Sequence, residues 1–335
     1  MKKLISLLLV GVMILALIPS AFAAPAKVMK ISNNQPNNHP VNIALEAFEK
    51  EVEEKSGGTI DVQIYPNGQL ADDVNGMEQC ILGTLECVLV LTGPSPLFQN
   101  GDEKTGIGYV EEMPFLFEDL DSARAAWDGE FGQYFTDMTA EYGGKVLCYW
   151  ENGFRNFTNS VRPIYTPEDM KDIKFRIAIS EVREAIFQAL GVTAVAMPFS
   201  ELFTALQQKT VQGQENPLSN IASNSFYEVQ SYLSMCNYIY NTATFMVNPA
   251  WFDSLTAEEQ EIVQTAAENG RDYCRQLLDE ANEGYMQACI DGGMEVNEVD
   301  HEAFLAAVQP VYDKYIEKYG DAYAAYVEAA QKYGK

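Results

Sequence analysis

The spacing of apolar residues changes twice between Val28 and Tyr65, and nothing else in the chain constrains its fold as tightly. Val28 to Ile31 reads as a short strand. Val41, Leu45, Phe48 and Val52 then recur at the period of a helix with one buried face, and Gly57-Gly58 ends it. Thr59 to Tyr65 alternates, with Ile60, Val62 and Ile64 on one side, before the turn residues Pro66-Asn67-Gly68. Strand, helix and strand in that order make a β-α-β unit, so the expected fold class is α/β.

The pattern continues. Asp73 to Gly83 reads as a helix and Cys87 to Leu91 as a nearly all-apolar strand, the kind found in a sheet covered on both faces. Lys145 to Trp150 is another such strand. Thr166 and Pro167 have helix-start chemistry, and Ser200 is expected to cap a helix that turns Leu202, Ala205 and Leu206 inward. Thr256 to Glu259 forms a capping box. The helical pattern behind it runs to about Asp291. At 1.5 Å per residue it is one helix approaching ~50 Å, or two that meet at Gly270 or Gly284. Tyrosine-rich amphipathic helices are expected near 302–319 and 321–333. With no repeat and no low-complexity linker, the chain should cross between lobes more than once.

The N-terminus is set apart from this pattern. Lys2 and Lys3 precede an apolar run from Leu4 to Ile18, followed by Ala21-Phe22-Ala23. That is the layout of a secretory signal peptide over residues 1–23, with cleavage near Ala23-Ala24 and a periplasmic destination. The run is short for a membrane span of about 20 residues. The remaining chain is long enough for two domains. Loss of Lys2 and Lys3 takes the formal charge from −26 to −28. Such a surface repels nucleic acid and anionic lipid, so neither is an expected partner, and a monomer is expected. A small anionic ligand would need a local cationic site, and the chain has only seven arginines.

Catalytic patterns are absent from the spacing. The two histidines, His39 and His301, lack a G-x-S-x-G or H-E-x-x-H partner. No Cys pair has CxxC spacing, so neither a metal nor a cofactor is expected, and the six cysteines read as buried thiols in preference to disulfides. A paired-carboxylate hydrolase stays open as an alternative, because acids are abundant and nothing singles out a pair.

Arg176 interrupts this picture. It lies in "DIKFRIAIS", where Phe175, Ile177 and Ile179 mark the apolar face of a strand. An unpaired buried charge costs several kcal/mol. Either an internal Asp or Glu supplies the anion, or a ligand does, in which case the guanidinium fork fits a carboxylate with two parallel hydrogen bonds. Arg155 follows an apolar strand in "WENGFRNFTNS", where a solvent-facing loop is equally open. "QGQENPLSN" gathers Gln212, Gln214, Glu215, Asn216 and Asn220, its amides either as ligand donors or as ordinary turn chemistry.

Five ordered segments carry a family resemblance: "YPNGQLADD", "EEMPFLFEDLDSA", "NGFRNFTNSVRPIYTPEDMKDIKFRIAIS", "PFSELFTALQQKTVQGQENP" and "FYEVQSYLS". Over its mature length the chain resembles the DctP-type solute-binding proteins of TRAP transporters. The resemblance implies a two-lobed periplasmic-binding-protein-like α/β fold with a long helix bracing both lobes. It implies a carboxylate-bearing organic acid as solute, a sugar acid or dicarboxylate, and membrane permease subunits as partners. Arg176 matches the arginine that pairs with the ligand carboxylate, Arg155 a second ligand-facing arginine, Asn216 a donor to the same end, and Phe199 an aromatic that packs on the solute. His39 falls in a loop bordering the cleft, and Asn152 and Gln214 add polar supply suited to a hydroxylated ligand such as a uronate. Lys209 and Gln212 depart from the family pattern, as does a residue near Asn237. Lobe I is expected to hold 24–152 and 242–281, and lobe II 153–241 and 282–335. A subunit that presents the solute to a receptor is the remaining alternative.

Overall fold

The computed structural model describes residues 27–98 and 106–334. The expected signal peptide and its cleavage point lie outside the described residues. In chain order the elements begin with β1 (Lys27–Ser32), α1 (Pro40–Lys55), β2 (Ile60–Tyr65), α2 (Asp73–Leu82), β3 (Cys87–Val90), α3 (Leu120–Trp127), α4 (Glu130–Glu141), β4 (Lys145–Phe154) and β5 (Asn156–Asn159). They continue with β6 (Phe175–Ile177), α5 (Glu181–Ala189), β7 (Ala194–Ala196), α6 (Leu202–Gln207), β8 (Gly213–Asn216), α7 (Leu218–Ser223), β9 (Tyr232–Met235) and β10 (Tyr240–Val247). The last are α8 (Pro249–Asp253), α9 (Ala257–Asp291), β11 (Glu295–Glu298), α10 (His301–Tyr319) and α11 (Asp321–Gln331).

Two sheets organise these elements. The first has strand order β2-β1-β3-β10-β4 and the second β11-β9-β5-β8-β6-β7. In the first, β1 runs parallel to both β2 and β3, while β10 is antiparallel to β3 and β4. In the second, β6 runs parallel to β7 and β8. The opening β-α-β unit forms as its periodicity dictates: Val41, Leu45, Phe48 and Val52 are all buried on α1. Pro40 stands at the start of that helix, where a missing N–H is harmless. Asp72 caps α2, accepting from the Asn75 backbone, and Gly83 closes it at φ 78, a left-handed position that favours glycine.

The sheets are joined at a narrow place. β4 stays in the first sheet to Phe154 and β5 opens the second at Asn156, so Arg155 alone separates them. The chain returns through Cys236–Ile239, and the two crossings bond to each other: Arg155 N donates to Ile239 O at 2.9 Å and Tyr238 N to Arg155 O at 3.1 Å. Helix α9 is a single 35-residue helix, so neither Gly270 nor Gly284 divides it. It packs on α1 and β4 of the first lobe and on α7 of the second. Helix α10 lies on α5 of the second lobe, but α11 packs on α3 and α4 of the first. The expectation that everything after 281 belongs to lobe II therefore needs correction. Tyr323 and Ala330 on α11 bury their side chains in the same cluster as Trp127, Phe131 and Phe135, and that apolar surface draws the chain back.

Thr166 and Pro167 start a helical turn as expected, the short 3-10 turn Pro167–Met170 with Thr166 as its N-cap. Two other expectations change. Ser200 makes no capping bond, because a 3-10 turn over Phe199–Glu201 precedes α6. Ile179 lies beyond the end of β6 and is 48% exposed, so it is not part of the core. All six cysteines are free and buried.

Gly270 shows how tightly α9 is seated. A Cβ there would lie 2.4 Å from the Trp150 ring, whose indole N–H donates to Ala267 O at 2.9 Å. Gly270→Val is expected to destabilise the protein by about 2 kcal/mol through overpacking. Gly284 has open space around it, and Gly284→Ala should stabilise by roughly 0.5–1 kcal/mol through helix propensity. Chemical denaturation of the two variants checks the opposite signs.

Candidate functional site

The carboxyl ends of β1, β2 and β3 in the first sheet and of β6 and β7 in the second face one cavity of about 220 Å³. On the first lobe it is lined by Asn34 after β1, Gly68 after β2, Thr92 after β3, and Asp72 and Asp73 at the start of α2. On the second it is lined by Arg176 and Ile179 from β6 and its end, and by Met197, Phe199 and Ser200 after β7. Crevices at the carboxyl ends of parallel strands are where open α/β sheets take their ligands.

Arg176 is 2% exposed and lines this cavity. Its Nε and Nη2 donate to the Met197 carbonyl at 3.0 and 2.7 Å, which fixes the plane of the guanidinium. Among the described residues no carboxylate lies within ion-pairing distance of it. Its central carbon lies 5.8 Å from the Phe199 ring centre. Burial pushes its pKa down to about 9; Glu215 pulls it up, and Arg155 and Arg183 push it further down. The group is still cationic at neutral pH, at a cost that an arriving anion relieves.

The remaining arginines of this region are neutralised from within. Arg155 pairs with Glu215 through Nε, with Nη2 3.0 Å from the second carboxylate oxygen, and Nη2 also donates to Asn216 Oδ1 at 3.0 Å. Arg183 Nη1 reaches Glu215 Oε1 at 3.0 Å and its Nε reaches Glu112 Oε1 at 2.8 Å. Tyr238 donates to Glu215 Oε2 at 2.7 Å. Two guanidiniums and two carboxylates cancel, leaving Arg176 beside them without an ion-pair partner among the described residues, with Glu215 and Asp73 acting on it only at longer range. Burial raises the Glu215 pKa, but Arg155 and Arg183 outweigh it and hold the group at about 2.

The cavity thus holds two of the seven expected site residues, Arg176 and Phe199. Arg155, expected to face a ligand, is instead buried in the crossing between the sheets with Glu215 as its partner. Asn216 and Gln214 lie in the buried strand β8 and satisfy each other at 2.5 Å, and Gln214 also donates to Thr158 at 2.8 Å. Asn152 donates to Leu91 O at 2.7 Å and lines a different cavity at the crossing. His39 is fully buried behind the site. It accepts from Val41 N as the cap of α1, and its Nε2 meets Asn220 Oδ1 of the second lobe at 2.8 Å. Burial pushes its pKa down to about 4, so the ring is neutral.

Sequence reasoning missed Asp73, Asn34 and Thr92. Asp73 is buried and accepts from Asn34 Nδ2 at 3.0 Å and Thr92 Oγ1 at 3.2 Å. Its signal was the paired acid in "YPNGQLADD", which also reads as ordinary helix-start chemistry.

The family model for bacterial extracellular solute-binding proteins, family 7 (DctP), matches residues 31–318. The chain belongs to this family. This solute-binding protein is 36% identical to a solute-binding protein of Verminephrobacter eiseniae over 312 residues, 93% of this chain and 91% of that one. A TRAP periplasmic solute-binding protein of Sulfitobacter with bound β-D-galacturonate superposes with a TM-score of 0.85 at 32% identity, covering 91% of this chain and all of that one. One from Shewanella oneidensis with bound succinate gives 0.85 at 29% identity, covering 93% and 100%. The two lobes and bracing helix are the architecture of these proteins, and the family's role is binding, not turnover.

Proposed function

We propose that the protein captures an organic acid anion outside the cytoplasmic membrane, with the solute carboxylate on Arg176, and passes it to the membrane subunits of a TRAP transporter. The observation that carries this reading is Arg176 itself, a buried cation at the cavity wall without a carboxylate partner among the described residues. A solute carboxylate there gains two charge-assisted hydrogen bonds in a place of low effective dielectric. Phe199 offers an apolar face beside them. Arg155 and Asn216 act one layer back, holding Glu215 and the crossing strands in place. Residues 1–23 serve as the export signal, and the protein works as a monomer. The relatives that hold galacturonate and succinate support a carboxylate as the shared feature of the ligand.

A thermal-shift screen against organic acids tests this. An acid present at 100 times its dissociation constant should stabilise the fold by about 2.7 kcal/mol, and the neutral amide of the same acid should not. Recovery of the acid unchanged after incubation separates binding from the hydrolase alternative. A screen in which no carboxylate raises the melting temperature overturns the proposal.

A further inference from the structure

Two carboxylates line the cavity, and they differ in burial. Asp72 is half-buried at the helix cap, where its two oxygens accept from the Asn75 backbone and side-chain amides, each at 2.9 Å. Asp73 is buried on the wall contributed by the first lobe, while Arg176 stands on the wall contributed by the second. Asn34 and Thr92 orient its carboxylate. A carboxylate has roughly four acceptor positions, so acceptor capacity remains for a ligand.

We propose that Asp73 is the specificity-determining residue of the cavity: with Arg176 holding the solute carboxylate, Asp73 receives hydroxyl groups at the far end and turns away a second carboxylate. The inference rests on the assignment of Arg176 as the carboxylate anchor. The cavity presents one cation and one buried acid. A hydroxylated monocarboxylate matches both, since a hydroxyl donates to an ionised Asp73 and accepts from a protonated one. A dicarboxylate places its second anion against Asp73, where like charges disfavour each other unless a proton is taken up. Burial pushes the Asp73 pKa up to about 7; among its neighbours Thr92 pulls it down, Asp72 pushes it up, and Arg176 and the Leu91 backbone pull it down. Asn34 completes the shell and carries no charge. Above pH 7 the acid is ionised in the empty protein, and the discrimination is strongest there.

Calorimetry at pH 8.5 with D-galacturonate, D-galactonate, succinate and fumarate tests the proposal on the wild type, Asp73→Asn, Asp73→Ser and Arg176→Met. The wild type should bind one of the hydroxylated acids at least about tenfold more tightly than either dicarboxylate. Asp73→Asn should narrow that ratio by about tenfold, chiefly through gained dicarboxylate affinity, and Asp73→Ser should narrow it by weakening the hydroxylated acids. Arg176→Met should lose both classes. A wild type that binds dicarboxylates at least as tightly overturns the proposal, as does an unchanged ratio in both Asp73 variants when their melting stays cooperative. In those cases the Arg176 assignment still stands if Arg176→Met loses both classes. Binding of neither class by the wild type overturns the Arg176 assignment and this proposal together.

Discussion

Arg176→Met is expected to weaken acid binding by about a thousandfold, roughly 4 kcal/mol, because it removes one partner of a buried, hydrogen-bonded charge pair. The same substitution should leave the melting temperature of the empty protein unchanged or higher. The guanidinium is 2% exposed and unpaired by any described carboxylate, so in the empty protein its desolvation is offset only in part, by the Met197 carbonyl and by Glu215 and Asp73 at longer range. Methionine fills similar volume without that charge. Arg176→Lys keeps the cation but loses the planar fork, and should fall in between, at about tenfold weaker binding. Affinity by calorimetry and stability by calorimetric melting are read on the same samples. A drop of stability alongside unchanged affinity would make Arg176 a structural residue.

Glu215→Gln should behave in the opposite way, costing about 3–5 kcal/mol of stability. Glu215 is fully buried and is shared by Arg155, Arg183 and Tyr238, so its neutralisation leaves two guanidiniums facing each other across the crossing strands. Chemical denaturation measures the loss. Its pH dependence follows from the direction of the shift. The folded value, about 2, is below the ordinary 4.5, so the stabilisation is full above pH 4.5 and is lost as pH falls toward 2. His39 acts in a separate window. Its folded value of about 4 is below its ordinary 6.5, so stability falls as the pH drops from 6.5 to 4 and the unfolded chain takes up the proton first. Asp73 opposes it: raised from 3.8 to about 7, it favours the folded state as pH falls through that interval. Glu215→Gln should therefore flatten the melting profile only below about pH 4.5.

These two residues also mark what the sequence discloses and what it hides. Arg176 is legible because it is one of only seven arginines and stands in an apolar strand between Phe175 and Ile177, where a charge needs an answering anion. The α/β class, the β-α-β start and the capping box at Thr256 are legible too, since each depends on neighbours a few residues away. Arg155 is not, because its partner Glu215 lies 60 residues further on and meets it only where the chain changes sheets. "QGQEN" looks like turn chemistry, yet Gly213–Asn216 is a buried strand whose amides satisfy their own neighbours. Asp73 is hidden by an ambiguity of role. An acid beside a helix cap is ordinary, and only the position of α2 relative to β6 turns it toward Arg176. The return of α11 to the first lobe is equally invisible in an amphipathic pattern, which says that a face is buried but not against what.

The six cysteines give the molecule a further property. Each is buried, and burial pushes every one of the six thiols above its ordinary pKa. Thiolate is the reactive form, so the folded chain presents almost nothing to an alkylating dye at neutral pH. Ile179→Cys would then carry the sole accessible thiol, at the rim of the cavity, and could be labelled without first removing the native cysteines. An environment-sensitive fluorophore at that position would turn the arrival of a solute into an optical signal.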